Sequence, residues 1–137
     1  MPDSRLVDTN VLVRFFTGQP PEMAAKAKAL VARAEAGMVV LDILPVMVAE
    51  IIYTLESFYG MDRQEVAPKL YLFLQSKGVR VQERARVLDA LLRHRHHNVH
   101  FAEAYLAAAA AELGSTVSSF DRDFDRFSDV KRAEPPS

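Results

Sequence analysis

The sequence contains no cysteine. This absence excludes a disulfide framework, a zinc ribbon and a thiol nucleophile, and it fits a reducing cytoplasm. An excess of one charge is also lacking, since 17 basic and 18 acidic side chains leave a formal net charge of −1. A uniformly basic nucleic-acid coat is therefore excluded, whereas a local basic patch is not. The chain has 137 residues, of which 50% are hydrophobic, so it suits one globular domain.

Long apolar runs and internal repeats are missing as well. The most apolar window, residues 38–53, is too short to cross a bilayer and contains Asp42, Pro45 and Glu50. The first residues lack the apolar stretch of a signal peptide. We therefore expect a cytoplasmic protein without a membrane partner. Residues 131–137 are polar and are expected to form a frayed tail.

Short apolar or β-branched runs alternate with segments rich in helix-forming residues. Strands are predicted at 5–7, 38–41, 79–81 and 116–119. Helices are predicted at 11–16, 22–36, 45–58, 62–76, 83–95 and 99–113, with a short helix in 121–127. This alternation predicts an α/β fold, a three-layer α/β/α sandwich around a parallel sheet of four to five strands.

Two aspartates directly follow predicted strands. Asp8 comes after the first strand and Asp121 after the last. Because parallel sheets bind ligands at the carboxyl ends of their strands, both are candidate functional residues. The structural alternatives are a helix cap for Asp8 and a solvated capping loop for Asp121.

Two glutamates on predicted helices join them. Glu50 is the only charge within residues 44–52, where we expect most helix faces to be buried, so its carboxylate needs an arginine partner or a metal. Glu103 begins an alanine-rich helix, where an ordinary surface position is the alternative. Carboxylates gathered in one place repel each other unless a cation neutralises them. Oxygen ligands suit Mg²⁺ or Mn²⁺, the ions that usually serve phosphodiester hydrolysis.

Four short motifs surround these acids. They are LVDTNVL at 6–12, AE at 49–50, AEAYLAA at 102–108 and SFDRDF at 119–124. In order and spacing they resemble the motifs of PIN-domain ribonucleases, above all the VapC-type toxins of bacterial toxin–antitoxin pairs. The resemblance implies one PIN-like domain over residues 1–130, followed by the polar tail at 131–137.

The resemblance also implies a function. It implies a metal-dependent endoribonuclease that cleaves single-stranded RNA to a 3′-hydroxyl and a 5′-phosphate, acts as a homodimer and is inhibited by a small antitoxin protein. The residues that match the family's carboxylates, and would hold Mg²⁺ or Mn²⁺, are Asp8, Glu50, Glu103 and Asp121. Those expected to contact the substrate or to hydrogen-bond the metal ligands are Asn10, Ser119 and Asp123.

The match is incomplete at one position. Glu103 falls where the family most often has aspartate, and glutamate carries its carboxylate roughly 1.5 Å further out. His100 also stands where relatives often have another acid. Since metal sites tolerate little displacement, the alternative is a catalytically impaired PIN-fold module that binds RNA or an antitoxin without cleaving.

Other readings of the sequence fit less well. A haloacid-dehalogenase-type phosphatase requires a second aspartate where Asn10 stands, and a receiver domain requires an acidic pair and a lysine that are missing. His96 and His100 have the spacing of a metal pair, but a solvated or RNA-facing basic helix end is favoured. Arg14 is expected to contact a phosphate or to pair with an acid.

Overall fold

The computed structural model describes residues 2–136, so Met1 and Ser137, the outer ends of the predicted domain and tail, lie outside it. The chain divides into two compact units, Met1–Arg84 and Ala85–Ser137. Within the described residues, no helix combines the length and the apolar character needed to cross a membrane.

The first unit is a parallel β-sheet with its connecting helices. Its elements are β1 (Asp3–Leu6), α1 (Thr9–Thr17), α2 (Pro21–Glu35), β2 (Val39–Ile43), α3 (Pro45–Tyr53), a π-helical turn (Thr54–Phe58), α4 (Arg63–Phe73) and β3 (Val79–Val81). The strands are ordered β1-β2-β3 and all pairs are parallel. Because both crossovers run in one direction and such crossovers are right-handed, α1 to α4 cover the same face of the sheet.

Local sequence explains the boundaries of these elements. Proline at the first turn starts both α2 and α3, where its missing N–H costs no hydrogen bond. The Asp62 side chain accepts a bond from the Gln64 amide (2.9 Å) and caps α4. Gly78 has a φ of +82°, and a Cβ there would lie 2.3 Å from the Ala34 carbonyl oxygen. Only glycine therefore allows the chain before β3 to approach the end of α2 so closely.

The second unit combines two long helices with a short ladder. It contains α5 (Arg84–His97, whose first residue closes the first unit), α6 (Phe101–Leu113), β4 (Val117–Ser118), a 3₁₀ helix (Arg122–Arg126) and β5 (Arg132–Ala133). Strands β4 and β5 pair in parallel. The Val117 amide donates to the Lys131 carbonyl (2.8 Å), and the Ser119 amide donates to the Ala133 carbonyl (3.1 Å). The expectation of a frayed tail is therefore wrong for β5.

The predicted α/β class with parallel strands is confirmed, but the single sheet of four to five strands is not what forms. The described residues contain a three-stranded and a two-stranded sheet. All four residues of β1 are exposed, Leu6 to 72%. β1 lies at an edge of its sheet, and a short apolar run does not by itself reveal whether both faces are covered.

Candidate functional site

Three acidic side chains of the second unit form a cluster. One carboxylate oxygen each of Glu103, Asp121 and Asp123 lies within 4.8 Å of the other two. Glu103 occupies the first turn of α6, and Asp121 is the N-cap of the 3₁₀ helix that contains Asp123. Two of these residues were predicted as metal ligands. Asp123 was predicted to contact the substrate or to hydrogen-bond the metal ligands. Its carboxylate nevertheless belongs to the same cluster as that of Asp121.

Hydrogen bonds fix the loop that carries the aspartates. The Asp121 amide donates to Ser119 Oγ (2.9 Å), and the Asp123 amide donates to Asp121 Oδ1 (2.8 Å). On the helix side, the His100 amide donates to Glu103 Oε1 (3.3 Å). One carboxylate oxygen of Glu103 and one of Asp121 therefore accept backbone donors, which holds these side chains in place.

The electrostatics of the cluster are unbalanced. Burial raises the pKa of Glu103 above its ordinary value, and the nearby carboxyls of Asp121 and Asp123 raise it further, against the lowering effect of the His100 amide. Glu103 Oε2 is buried without a hydrogen-bond partner among the described residues. Against these three acids, Arg126 places its Nη2 3.6 Å from Asp123 Oδ1. The cluster is thus short of positive charge.

This donor set fits a divalent metal ion. Carboxylate oxygens are the ligands that Mg²⁺ and Mn²⁺ prefer, and a buried oxygen without a partner is costly unless something binds it. Glu103 Oε2 meets that description, and Asp121 and Asp123 supply further oxygens beside it. These three residues could therefore hold the ion.

The other two predicted carboxylates belong to the first unit and line one cavity there. Asp8 and Glu50 both border a space of about 440 Å³, together with Asn10. Asp8 is the N-cap residue of α1, but its side chain makes no capping hydrogen bond. The helix-cap alternative therefore does not account for this carboxylate.

Glu50 corrects an expectation. The predicted burial of this carboxylate is wrong, because α3 packs through Val48, Ile51 and Ile52 while Glu50 is exposed. A helix needs only one apolar stripe to cover a core, so an apolar sequence does not bury every position. An exposed carboxylate does not require a cation, and Glu50 remains a candidate because it shares the cavity with Asp8.

The cavity also contains residues that the motifs did not identify. Phe58 and Tyr59 line it beside Arg14. Arg14 Nη1 donates to Tyr59 Oη (3.0 Å), which differs from both expected partners of this arginine, a phosphate and an acid. Its Nε is buried without a hydrogen-bond partner in the part of the chain that the structure describes. Two adjacent aromatics just before Gly60 were the available signal, and apolar periodicity alone did not separate them from core residues.

Within residues 2–136, two side chains of the histidine stretch make contacts inside the second unit. His94 is 1% exposed, and its Nδ1 lies 2.6 Å from the Val99 carbonyl oxygen, so it is a core residue. The His97 ring packs against Phe127 with 4.9 Å between centroids. Neither His96 nor His100 belongs to a group of three candidate ligands.

Comparison with known protein families gives a match over most of the chain. A family model described as the PIN domain matches residues 5–130. The chain belongs to the PIN-domain family. PIN domains are generally nucleases that act on RNA and typically use a divalent metal, a chemistry that the acidic cluster of this PIN domain fits. No curated protein matches the sequence significantly.

Proposed function

We propose that this PIN domain is a metal-dependent endoribonuclease that cleaves single-stranded RNA. The observation that carries the proposal is the buried, unpartnered Glu103 Oε2 beside the carboxylates of Asp121 and Asp123. Three crowded acids with an unsatisfied buried oxygen are costly to a fold unless a cation binds them. Mg²⁺ or Mn²⁺ is the ion that such oxygens favour.

The predicted carboxylates are assigned to the reaction as metal ligands. As the motifs imply, they are Asp8 and Glu50 in the first unit and Glu103 and Asp121 in the second. Within the second unit, the acidic cluster adds Asp123. When bound, the cation supplies a water of lowered pKa and stabilises the leaving oxygen.

The proposed hydrolysis breaks one oxygen–phosphorus bond of the RNA and forms another. The water oxygen forms a bond to phosphorus while the bond to the 3′ oxygen breaks, which leaves a 5′-phosphate and, after protonation, a 3′-hydroxyl. Asn10 borders the same cavity as Asp8 and is assigned to a hydrogen bond with substrate or ligand. Ser119 Oγ accepts a hydrogen bond from the Asp121 amide, and this bond keeps the aspartate oriented.

We further propose the biological setting that the motifs imply. The chain would be the VapC-type toxin of a type II toxin–antitoxin pair, a cytoplasmic homodimer that a small antitoxin protein holds inactive. The resemblance of the four motifs supports this setting. Co-expression with the protein encoded by the adjacent gene tests it, since an antitoxin should co-purify with the chain and suppress RNA cleavage.

The enzymatic proposal is tested by Asp8→Asn. We expect this variant to cleave a single-stranded RNA in Mn²⁺ at least about 100-fold more slowly than the wild type. Removing one group that stabilises the charge of a transition state typically lowers a rate by this factor. Asp3→Asn is the matched control, since Asp3 is an exposed aspartate of the same unit. Cleavage by Asp8→Asn at the wild-type rate would overturn the proposal.

A second candidate function is the impaired PIN module that binds RNA or an antitoxin without cleaving. The longer side chain of Glu103 favours it. Glu103→Asp distinguishes the two, because a site impaired only by the position of this carboxylate gains Mn²⁺ affinity and cleavage when the carboxylate is drawn back. If neither quantity changes and the wild type does not cleave, the binding module is the better description.

A further inference from the structure

We infer that the cavity bordered by Asp8 and Glu50 contains a nucleotide subsite, in which Phe58 stacks on an unpaired base and Arg14 contacts the neighbouring phosphate. The inference rests on the proposed function as a ribonuclease and names the feature of the substrate that it reads. Its basis is the wall of the cavity formed by Arg14, Phe58 and Tyr59, which belongs to none of the four motifs.

The first observation is the exposure of the aromatic rings. Phe58 is 79% exposed and Tyr59 37%, although both could bury a large apolar area. The two rings meet edge to face, with centroids 5.1 Å apart and an interplanar angle of 70°. Tyr59 Oη accepts a hydrogen bond from Arg14, so Phe58 rests against a ring that is itself held in place. A supported, exposed ring face is what base stacking requires.

The second observation is the backbone that presents these rings. Residues Thr54–Phe58 continue α3 as a π-helical turn, and the Tyr59 amide donates to the Thr54 carbonyl (3.1 Å). Leu55 of this turn is 1% exposed and anchors it in the core. Such turns are rare and frequently lie at functional sites. Here the turn lets Leu55 point into the core while Phe58 borders the cavity.

The third observation is the chemistry that surrounds Phe58. Arg14 lines the same cavity, where its Nη1 donates to Tyr59 Oη, and a phosphate oxygen is the kind of acceptor that a guanidinium favours. The cavity volume of about 440 Å³ lies in the range that small-molecule ligands occupy. A ring face, a guanidinium group and two carboxylates are the groups that a nucleotide and its metal ion would contact.

A protein partner fits this wall less well. Any protein surface that covered Phe58 would also cover the Asp8 and Glu50 side of the cavity, and burying carboxylates without compensation is costly. A single-stranded nucleic acid can instead stack one base on Phe58, which is 79% exposed, without covering the whole wall. Since a paired base is already stacked on both faces, the subsite selects unpaired nucleotides.

The test measures stacking directly, without cleavage. A single-stranded oligoribonucleotide that carries 2-aminopurine is titrated with wild-type protein in EDTA at low salt, and quenching of the fluorescent base is recorded. We expect quenching with the wild type and with Phe58→Trp. Phe58→Ala and Phe58→Leu should lose the quenching, and Phe58→Ala should bind at least about 5-fold more weakly, the lower limit for loss of one stacked base. A fully paired oligonucleotide should show no additional quenching.

Tyr53→Ala is the matched control. Tyr53 is an aromatic residue with 70% exposure at the end of α3, and it is not among the residues that line the cavity. Thermal melts of all variants by circular dichroism check that each one is folded. Arg14→Met should weaken binding and reduce its salt dependence, which reports the phosphate contact separately from the stacking.

Three outcomes with the variants would overturn the inference. One is unchanged quenching with Phe58→Ala, and another is equal weakening by Tyr53→Ala. The third is a change in sedimentation of Phe58→Ala with RNA binding intact, which would mark the ring as an interface with a second copy of the chain. In each case the Mn²⁺-dependent cleavage test with Asp8→Asn still decides the proposed function. Absence of wild-type binding in EDTA also refutes the subsite and leaves that cleavage test to stand by itself.

Discussion

Two groups of carboxylates in the second unit experience opposite environments. Asp125 and Asp129 each form an ion pair with an arginine. The carboxylates of the other group instead lie close to one another, and this group consists of Glu103, Asp121 and Asp123. Arg132 contacts Asp125 through Nε (3.0 Å) and Nη2 (3.2 Å), a two-pronged pair. In the cluster, Arg126 Nη2 lies 3.6 Å from Asp123 Oδ1. The same residue type thus serves in one group as half of an ion pair and in the other as an unbalanced charge.

The pKa values move in opposite directions for this reason. Hydrogen bonds from Arg132 and Arg93 hold the pKa of Asp125 and that of Asp129 below the ordinary range. Burial and neighbouring acids instead raise the pKa of Glu103. An acid that is already paired gains little from a metal ion, while a crowded acid gains much. The comparison teaches that the number of acids in a segment does not locate a cation site, and that the balance of charge around each one does.

The largest expected effect separates the two groups by metal binding. Asp121→Asn should weaken Mn²⁺ binding at least about 10-fold, since even residues behind metal ligands are worth this much. Asp125→Asn should leave the Mn²⁺ affinity unchanged, because its carboxylate pairs with Arg132. Isothermal titration calorimetry measures both. Equal losses in the two variants would mean that the pairing seen here does not distinguish the groups.

A smaller effect tests the paired group through stability. The Arg93 side chain is 11% exposed, contacts Asp89 and Asp129, and lies 5.2 Å from the Phe127 ring centroid. Arg93→Met keeps much of the volume and should cost about 1–3 kcal/mol of unfolding free energy, because charged hydrogen bonds are lost. Urea denaturation measures the loss. Lys28→Ala, at an exposed position of α2, serves as the control. An equal loss of unfolding free energy in this variant would mean that the ion pairs of Arg93 do not account for the effect.

The smallest effect concerns pH in metal-free protein. A raised pKa means that folded Glu103 holds its proton more tightly than the unfolded chain does. Protonated Glu103 therefore contributes to the stability of the folded protein at low pH. This contribution is lost as the pH rises above about 4.3, the ordinary pKa of glutamate. Glu103→Gln should raise the Tm of metal-free protein at neutral pH by a few degrees, and this gain should disappear as the pH falls.

Asp129 is the counterpart with the opposite sign. Its lowered pKa contributes stability above about 3.9 that is lost as pH falls through the folded value. Asp129→Asn should therefore lower the Tm at neutral pH and flatten the acid side of the profile. Melting curves between neutral and acid pH measure both variants. Parallel profiles for Glu103→Gln and Asp129→Asn would contradict the opposed environments described above.

Much of the local structure followed from the sequence. The predicted strand at 79–81 is confirmed at its bounds, and the helices predicted to begin at residues 22, 45 and 62 begin within one residue of those positions. These features depend on neighbours along the chain, such as an N-terminal amide near its cap or a glycine that adopts a positive φ at little cost. β4 is shorter than predicted because a ladder extends only as far as its partner strand allows.

The candidate site followed from the sequence only in part. The order of the motifs predicted Asp8, Glu50, Glu103 and Asp121 as candidates, and the family match to residues 5–130 agrees with those motifs. Three features were not predictable. They are the exposure of Glu50, the membership of Asp123 in the acidic cluster and the position of Phe58 on the cavity wall. Each depends on which side of an element faces the core, and that depends on packing against residues distant in sequence.

The sequence by itself determined the PIN family of this chain, its alternation of strands and helices, and the acids available for chemistry, because short motifs and helix periods are properties of neighbouring residues. Only the tertiary structure decided which acids are neutralised by arginine, which oxygen of Glu103 is left buried without a partner, and which aromatic rings border the cavity beside Asp8. The physical reason is that solvation and Coulomb interactions depend on distances through space, which the order of residues along the chain does not fix.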